Sequence, residues 1–192
     1  MFHSLLCLKK GMDIIMKKII SLLLGIMLAV VFTACTGKSE NTTLENFPQI
    51  QGTDFNGNVI TNDIFKDYDA TLVNVWINSC VSCLEEMPDL EGYYNKFKEK
   101  NINVIGIAGS AGDSPEMRAF AENVLNENEI TFLNVIPDVE SSFYNDFICT
   151  LLGFPITYIV DGEGNVVGEP IMGVVKNQED KLMKRLDAMI GN

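Results

Sequence analysis

The sequence predicts an α/β layered sandwich built on a mixed β-sheet, and three observations carry that prediction. Apolar, β-branched runs at 71–77, 102–108 and 156–160 read as strands buried on both faces. Helix-patterned segments separate the first runs, the alternation that makes neighbouring strands parallel. A strand, a tight turn and another strand at 156–168 return antiparallel, which mixes the sheet. Composition agrees: 47% hydrophobic and 21% charged over 192 residues is a globular balance, sized for one domain.

The elements follow in order. Gln49–Thr53 and Val59–Thr61 flank Phe55-Asn56-Gly57, and Asn-Gly is a strong hairpin signal. Asp63 is placed to cap a short helical turn through Asp67. Thr71–Ile77 is a buried strand. Leu84 to Lys100 reads as a helix, with Leu84, Met87, Leu90 and Tyr94 at helical spacing and Pro88 expected to kink it. Ile102–Ala108 is the second buried strand. Asp113 or Ser114 caps a helix with Pro115 at its first position, running to about Asn128. Thr131–Val135 is expected as a third strand, Val139–Phe147 as a short helix and Ile156–Val160 as a fourth strand. Asp161-Gly-Glu-Gly lacks the remaining ligands of a calcium loop and reads as a turn into a fifth strand, Asn165–Gly168. Gln178–Ile190 is a terminal amphipathic helix.

The N-terminus reads as an address. Lys17 and Lys18 precede an apolar run from Ile19 to Phe32, too short for the ~20 residues that span a bilayer. A basic start, an apolar core and small residues make a secretory signal over 1–34. Met16-Lys17-Lys18 resembles a natural start, leaving 1–15 as an overextended beginning. The segment closes Phe32-Thr33-Ala34-Cys35, which resembles a bacterial lipoprotein signal, so Cys35 is expected to carry lipid. An uncleaved anchor is the other reading, and both put the remainder outside the cytoplasmic membrane. Residues 35–45 are then a tether and 46–192 the domain.

Charge and composition exclude much chemistry. From residue 35 onward, 25 acidic residues stand against 10 basic ones, a net −15 that would repel nucleic acid. The single histidine, His3, precedes everything that folds. A Ser/His/Asp triad, a Cys/His protease and a His-ligated metal site are thereby excluded.

The chemistry is left to Cys80-Val-Ser-Cys83, which follows a buried strand and opens a helix. At a helix N-terminus, unpaired N–H groups and the dipole favour a thiolate, the attacking species in disulfide exchange. Cys80 is the expected nucleophile and Cys83 the resolving thiol. Three other readings stay open: half a zinc site lacking two further ligands, a structural disulfide closing a tiny and weakly stabilising loop, and an inert buried pair. Glu85 and Glu86 add negative charge that raises a thiolate's pKa, which Ser79 or Ser82 can offset by donating a hydrogen bond. Cys149 is left over; it reads as a small buried hydrophobe or as a third redox thiol.

Val73-Asn-Val-Trp76-Ile-Asn-Ser-Cys80-Val-Ser-Cys83-Leu-Glu-Glu86-Met87-Pro88 resembles the active-site block of membrane-anchored, thioredoxin-like proteins of the TlpA/ResA type. Gly153-Phe154-Pro155-Ile-Thr157-Tyr-Ile-Val-Asp161 resembles that family's second signature. The resemblance covers about Phe47 to Asn192. It implies a thioredoxin-like three-layer α/β/α sandwich with a central mixed sheet and an N-terminal β-hairpin extension. It also implies a cis Pro155 facing the redox pair, and a substrate contact made by Phe154, Pro155 and Trp76, although Trp76 and Met87 also read as core. The sequence departs from the family at Ser79, where Trp is common, and at Ser82, where Pro is common. Asn74 stands where thioredoxins proper carry a buried acid, which leaves Glu86 as the local candidate for proton transfer.

The function implied is an extracytoplasmic thiol–disulfide oxidoreductase that works as a monomer and needs no cofactor beyond the Cys80–Cys83 pair. In the reducing direction it draws electrons from a CcdA/DsbD-type membrane donor. Exported proteins are its substrates, for example apocytochrome c or a methionine sulfoxide reductase. The alternatives are a disulfide-forming oxidase and a thioredoxin-like binding module. A thiol peroxidase is disfavoured because Ile77 stands where peroxiredoxins place Thr.

Overall fold

The structure is a computed structural model and describes residues 45–191. The expected signal segment, the lipidation site Cys35 and all but the last residue of the tether lie outside the described residues.

Among the described residues seven strands form one sheet, in the order β2-β1-β5-β4-β3-β6-β7. They are β1 (Gly52–Asp54), β2 (Val59–Ile60), β3 (Ala70–Trp76), β4 (Ile102–Ala108), β5 (Asn134–Pro137), β6 (Ile156–Asp161) and β7 (Ile171–Met172). β3, β4 and β5 are parallel, and every other neighbouring pair is antiparallel. Helices α1 (Val81–Phe97) and α2 (Pro115–Glu127) make the β3–β4 and β4–β5 crossovers, and α3 (Glu179–Ile190) closes the chain.

Strand parity decides the layers. Leu72, Trp76, Val104, Ala108 and Ile159 face one core, which Met87, Leu90 and Phe97 of α1, Ala121 and Val124 of α2 and Leu182 and Leu186 of α3 complete. Val73, Val75, Ile105, Ile107, Tyr158 and Val160 face the other, against Phe47, Phe65, Phe143 and Phe147. Phe47 centres four ring contacts there, at 5.4–6.3 Å between centroids. The second outer layer is thin, made of a 3₁₀ turn at Asn62–Phe65, a π turn at Phe143–Phe147 and a 3₁₀ turn at Ile148–Thr150. The architecture is thus the expected three-layer sandwich with its N-terminal hairpin.

Several boundaries moved, each for a physical reason. The first hairpin strand is Gly52–Asp54, because the Asp54 carboxylate accepts the Asn56 and Asn58 amides and fixes the turn. Thr61, not Asp63, caps the next turn, its hydroxyl accepting the Asp63 amide. α1 begins one turn earlier than expected and continues through Pro88, whose ring is exposed. The third strand lies at 134–137 rather than 131–135. Glu91 of α1 takes both the Thr131 amide and its hydroxyl, so that segment docks on the helix instead of joining the ladder. Glu140 is tied by its amide to Asp138 Oδ1, which delays the helical turns expected from Val139 to residue 143. Asn165–Gly168 makes only isolated bridges to Asn46 and Val160. Gly168 adopts φ 71° and Pro170 has no N–H, so the chain turns away and pairs with β6 only at Ile171–Met172.

Candidate redox site

β3 ends at Trp76, and the chain turns through Ile77, Asn78 and Ser79 before α1 starts. The turn is fixed by the Asn78 amide, which donates to Ser110 Oγ at 3.0 Å, and by the Cys80 amide, which donates to the Ile77 carbonyl at 3.1 Å. Cys80 is the N-cap of α1, in extended conformation (φ −95°, ψ 98°), and its Sγ accepts the Cys83 amide at 3.2 Å. A sulfur in that position receives the orphan N–H and the positive helix end that stabilise a thiolate. Cys80 and Cys83 form a disulfide with Cα atoms 5.2 Å apart. The two sulfurs have different environments: Cys80 is half-buried, whereas Cys83 is 1% exposed. An incoming group therefore meets Cys80 first. Ser82 Oγ lies 3.5 Å from Cys80 Sγ, while Ser79 points to solvent.

Cys83 and Glu86 are three residues apart on α1 and share a face. Glu86 is almost fully buried, on the inner side of the helix. It accepts the Val175 amide from the turn after β7 and the Asn74 side-chain amide at 3.4 Å. Asn74 Nδ2 also donates to Thr157 Oγ1 at 2.9 Å, which ties β3, β6 and α1 together at one polar point under the disulfide. Burial lifts the Glu86 carboxyl to about 7, against the two hydrogen bonds that lower it and with the Asp89 charge adding to the rise. The expected repulsion from both glutamates is thereby reduced: Glu85 is exposed to screening solvent, and Glu86 is partly protonated near neutrality.

Pro155 follows a cis peptide from Phe154. The β3–β6 register sets Ile156 opposite Val75, so Pro155 falls at the end of β3 from which the redox turn leaves. The Pro155 carbonyl accepts the Gly173 amide at 2.8 Å and is occupied within the fold. Phe154 is half-buried and packs with Cys80 against the helix-side core. Trp76 is fully buried and donates its indole N–H to Asn134 Oδ1 at 3.0 Å. That burial gives it a core role and corrects the expectation that it touches substrate. Cys149 is exposed, not buried, because the 148–150 turn points Ile148 inward instead. Among the described residues no group of carboxylates or cysteines is arranged to hold a metal ion.

Thr157 and the Val175 amide escaped the sequence reading. Thr157 sits inside the second signature, on the same strand face as Ile159, and that parity was the available signal; nothing local marks Val175.

A disulfide at a strand–helix junction, level with a cis proline on the neighbouring strand, is the arrangement of a thioredoxin-like dithiol protein. The AhpC/TSA family model matches residues 44–168, and the chain belongs to that family. The chain is 29% identical over 110 residues to the thiol:disulfide interchange protein DsbE of Haemophilus influenzae, covering 57% of this chain and 55% of that one. It therefore spans little more than half that relative's length. It is 25% identical over 162 residues to the thiol–disulfide oxidoreductase ResA of Bacillus thuringiensis, covering 82% of this chain and 88% of the relative. The solution structure of a thiol:disulfide interchange protein from Bacteroides sp. superposes with a TM-score of 0.60 at 25% identity, over 78% of this chain and 91% of that one.

Proposed function

We propose that this protein is an extracytoplasmic reductase of protein disulfides, held at the membrane by lipid on Cys35 and supplied with electrons by a CcdA/DsbD-type membrane donor. It is a thiol–disulfide oxidoreductase. The observation that carries the reading is the asymmetry of the pair, with Cys80 half-buried at a helix N-cap and Cys83 enclosed beneath it. In the reduced protein the Cys80 thiolate attacks one sulfur of a substrate disulfide, forming a mixed disulfide and releasing the first substrate thiolate. Glu86 then takes the Cys83 proton. The Cys83 thiolate attacks Cys80 Sγ, the second substrate thiolate leaves, and two electrons have passed to the substrate as the Cys80–Cys83 disulfide forms. A dithiol donor reverses the sequence to reset the enzyme. Because the Pro155 carbonyl is occupied by Gly173, an extended substrate strand pairs instead with the backbone of Phe154. Exported proteins such as apocytochrome c or a methionine sulfoxide reductase are the substrates this reading favours.

The test is the reduction potential of the pair, equilibrated in thiol/disulfide buffers, trapped by alkylation and read by mass. A value near −270 mV, roughly that of thioredoxin, is expected of a reductase; one near −120 mV, roughly that of a strong oxidant, reverses the direction. A pair that titrates nowhere in that range returns the chain to a binding module. Cys80→Ser is expected to abolish reduction of insulin disulfides, and surviving activity would refute the nucleophile assignment.

A further inference from the structure

Beside the redox turn, on the side of β4 and α2, lies an open cavity of about 500 Å³. Asn78, Ser79, Ser110, Asp113, Glu116, Met117 and Phe120 line it. Met117 and Phe120 are 43% and 45% exposed, three residues apart on α2, so both present side chains to the same opening. The walls are built, not incidental. Asn78 Nδ2 donates to the Met117 carbonyl at 2.8 Å and lies 3.4 Å from its sulfur, while the Asn78 amide is held by Ser110. The redox turn and the start of α2 are thereby fixed to one another. Asp113 accepts the Tyr144 hydroxyl at 2.7 Å, which sets one carboxylate on the rim. The charged lining is Asp113 and Glu116, both acidic, with no lysine or arginine.

We propose that this cavity is a specificity pocket for the protein substrate: it takes a large apolar side chain one or two residues from the substrate's reacting cysteine, with a lysine or arginine of the same segment meeting Asp113 and Glu116. The inference rests on the oxidoreductase reading and names what its substrates look like. Continuity with the redox site selects this occupant. Ser79 forms part of the lining and is bonded directly to Cys80, and consecutive Cα atoms are about 3.8 Å apart, so a side chain in the pocket belongs within one or two residues of the attacked sulfur. The acidic rim selects the charge.

The experiment uses the purified full chain, reduced, with pairs of symmetric disulfide peptides that carry either Leu and Lys or Gly and Glu beside the cysteine. Rates are read by acid quench and mass, with dithionitrobenzoate as a small disulfide that has no flanking residues. The Leu-Lys peptide is expected to react about tenfold faster than the Gly-Glu peptide. In Phe120→Ala that ratio is expected to fall to the part that the intact acidic rim supplies, and Met117→Gln to reduce it similarly. Glu116→Gln is expected to remove most of the salt dependence of the lysine preference. An unchanged ratio in the folded Phe120→Ala and Met117→Gln variants overturns the pocket. Reduction of dithionitrobenzoate without discrimination between peptides overturns the pocket alone, whereas failure on every disulfide overturns the oxidoreductase reading together with it. Sedimentation across concentrations addresses a second copy as occupant: a dimer abolished by Phe120→Ala overturns the substrate assignment.

Discussion

Replacing Glu86 by Gln tests whether the buried carboxyl is held in its fold at a thermodynamic cost. An ordinary glutamate titrates at 4.5, and burial moves Glu86 to about 7. Between those values the folded protein keeps a proton that the unfolded chain has released, so stability falls as pH rises through that window. Each pH unit is worth about 1.36 kcal/mol, which gives roughly 3 kcal/mol over the interval. Glutamine has no proton to lose. Its Oε1 keeps the Val175 amide, but its Nε2 replaces the oxygen that accepts from Asn74 Nδ2, so donor meets donor unless the Asn74 amide turns over, a cost that is the same at every pH. The oxidised wild type and Glu86→Gln, unfolded by denaturant from pH 4 to pH 8, are therefore expected to diverge. Most of a shift of about 3 kcal/mol in favour of the variant should occur between pH 4.5 and 7. Subtracting the two curves removes the other titrating groups. The same substitution is expected to slow release of substrate from the mixed disulfide, because Cys83 loses its proton acceptor. A stability difference independent of pH would refute the argument, since it would place the ordinary glutamate pKa in the folded state.

Three further outcomes follow from packing and chemistry. In Gly106→Ala the new Cβ would run into Asn134 Oδ1 and come within 2.8 Å of its Cγ, in the buried pair that also holds the Trp76 indole. A loss of about 1–3 kcal/mol is expected, read as a lowered denaturation midpoint at unchanged slope. Trp76→Phe leaves Asn134 Oδ1 buried without that donor and is expected to cost about 1–3 kcal/mol by far-ultraviolet circular dichroism melting, with disulfide exchange retained. An equally large drop in the exchange rate would return Trp76 to the substrate site. Cys83→Ser is expected to accumulate a covalent enzyme–substrate adduct on Cys80, visible by mass and cleared by dithiothreitol; no adduct would mean that Cys80 is not the attacking sulfur.

The parts of the fold that were legible in the sequence are those whose signal is local and dense. β3, β4 and β6 are apolar on both faces, and β-branched runs show that without help from the rest of the chain. Ser114 and Pro115 mark the start of α2 by capping chemistry alone. β5 was misplaced because its start is decided by Glu91, forty residues earlier, which captures Thr131. β7 has two residues and no periodicity to read. At the site, the cysteines and Pro155 stand in compact motifs. The polar point beneath them joins Asn74 to Thr157 across 83 positions and Glu86 to Val175 across 89, and it exists only once β3, β6 and α1 are assembled. Cys149 shows the complementary limit: its type is most often buried, yet the phase of one short turn, which pattern at that length does not define, puts it in solvent.

The two rims of the sheet give the molecule a second kind of selectivity. Each outermost strand, β2 at one rim and β7 at the other, is two residues long. Gly173, at φ 79°, ends β7, and β1 is already paired on both sides. An unfolded polypeptide that tried to extend the sheet at either rim would find too few free amides and carbonyls to hold it. Under the proposed function, a protein working among exported, incompletely folded chains would meet that hazard continuously. Short rims leave the fold resistant to being templated into aggregates by extended chains, whichever proteins it serves.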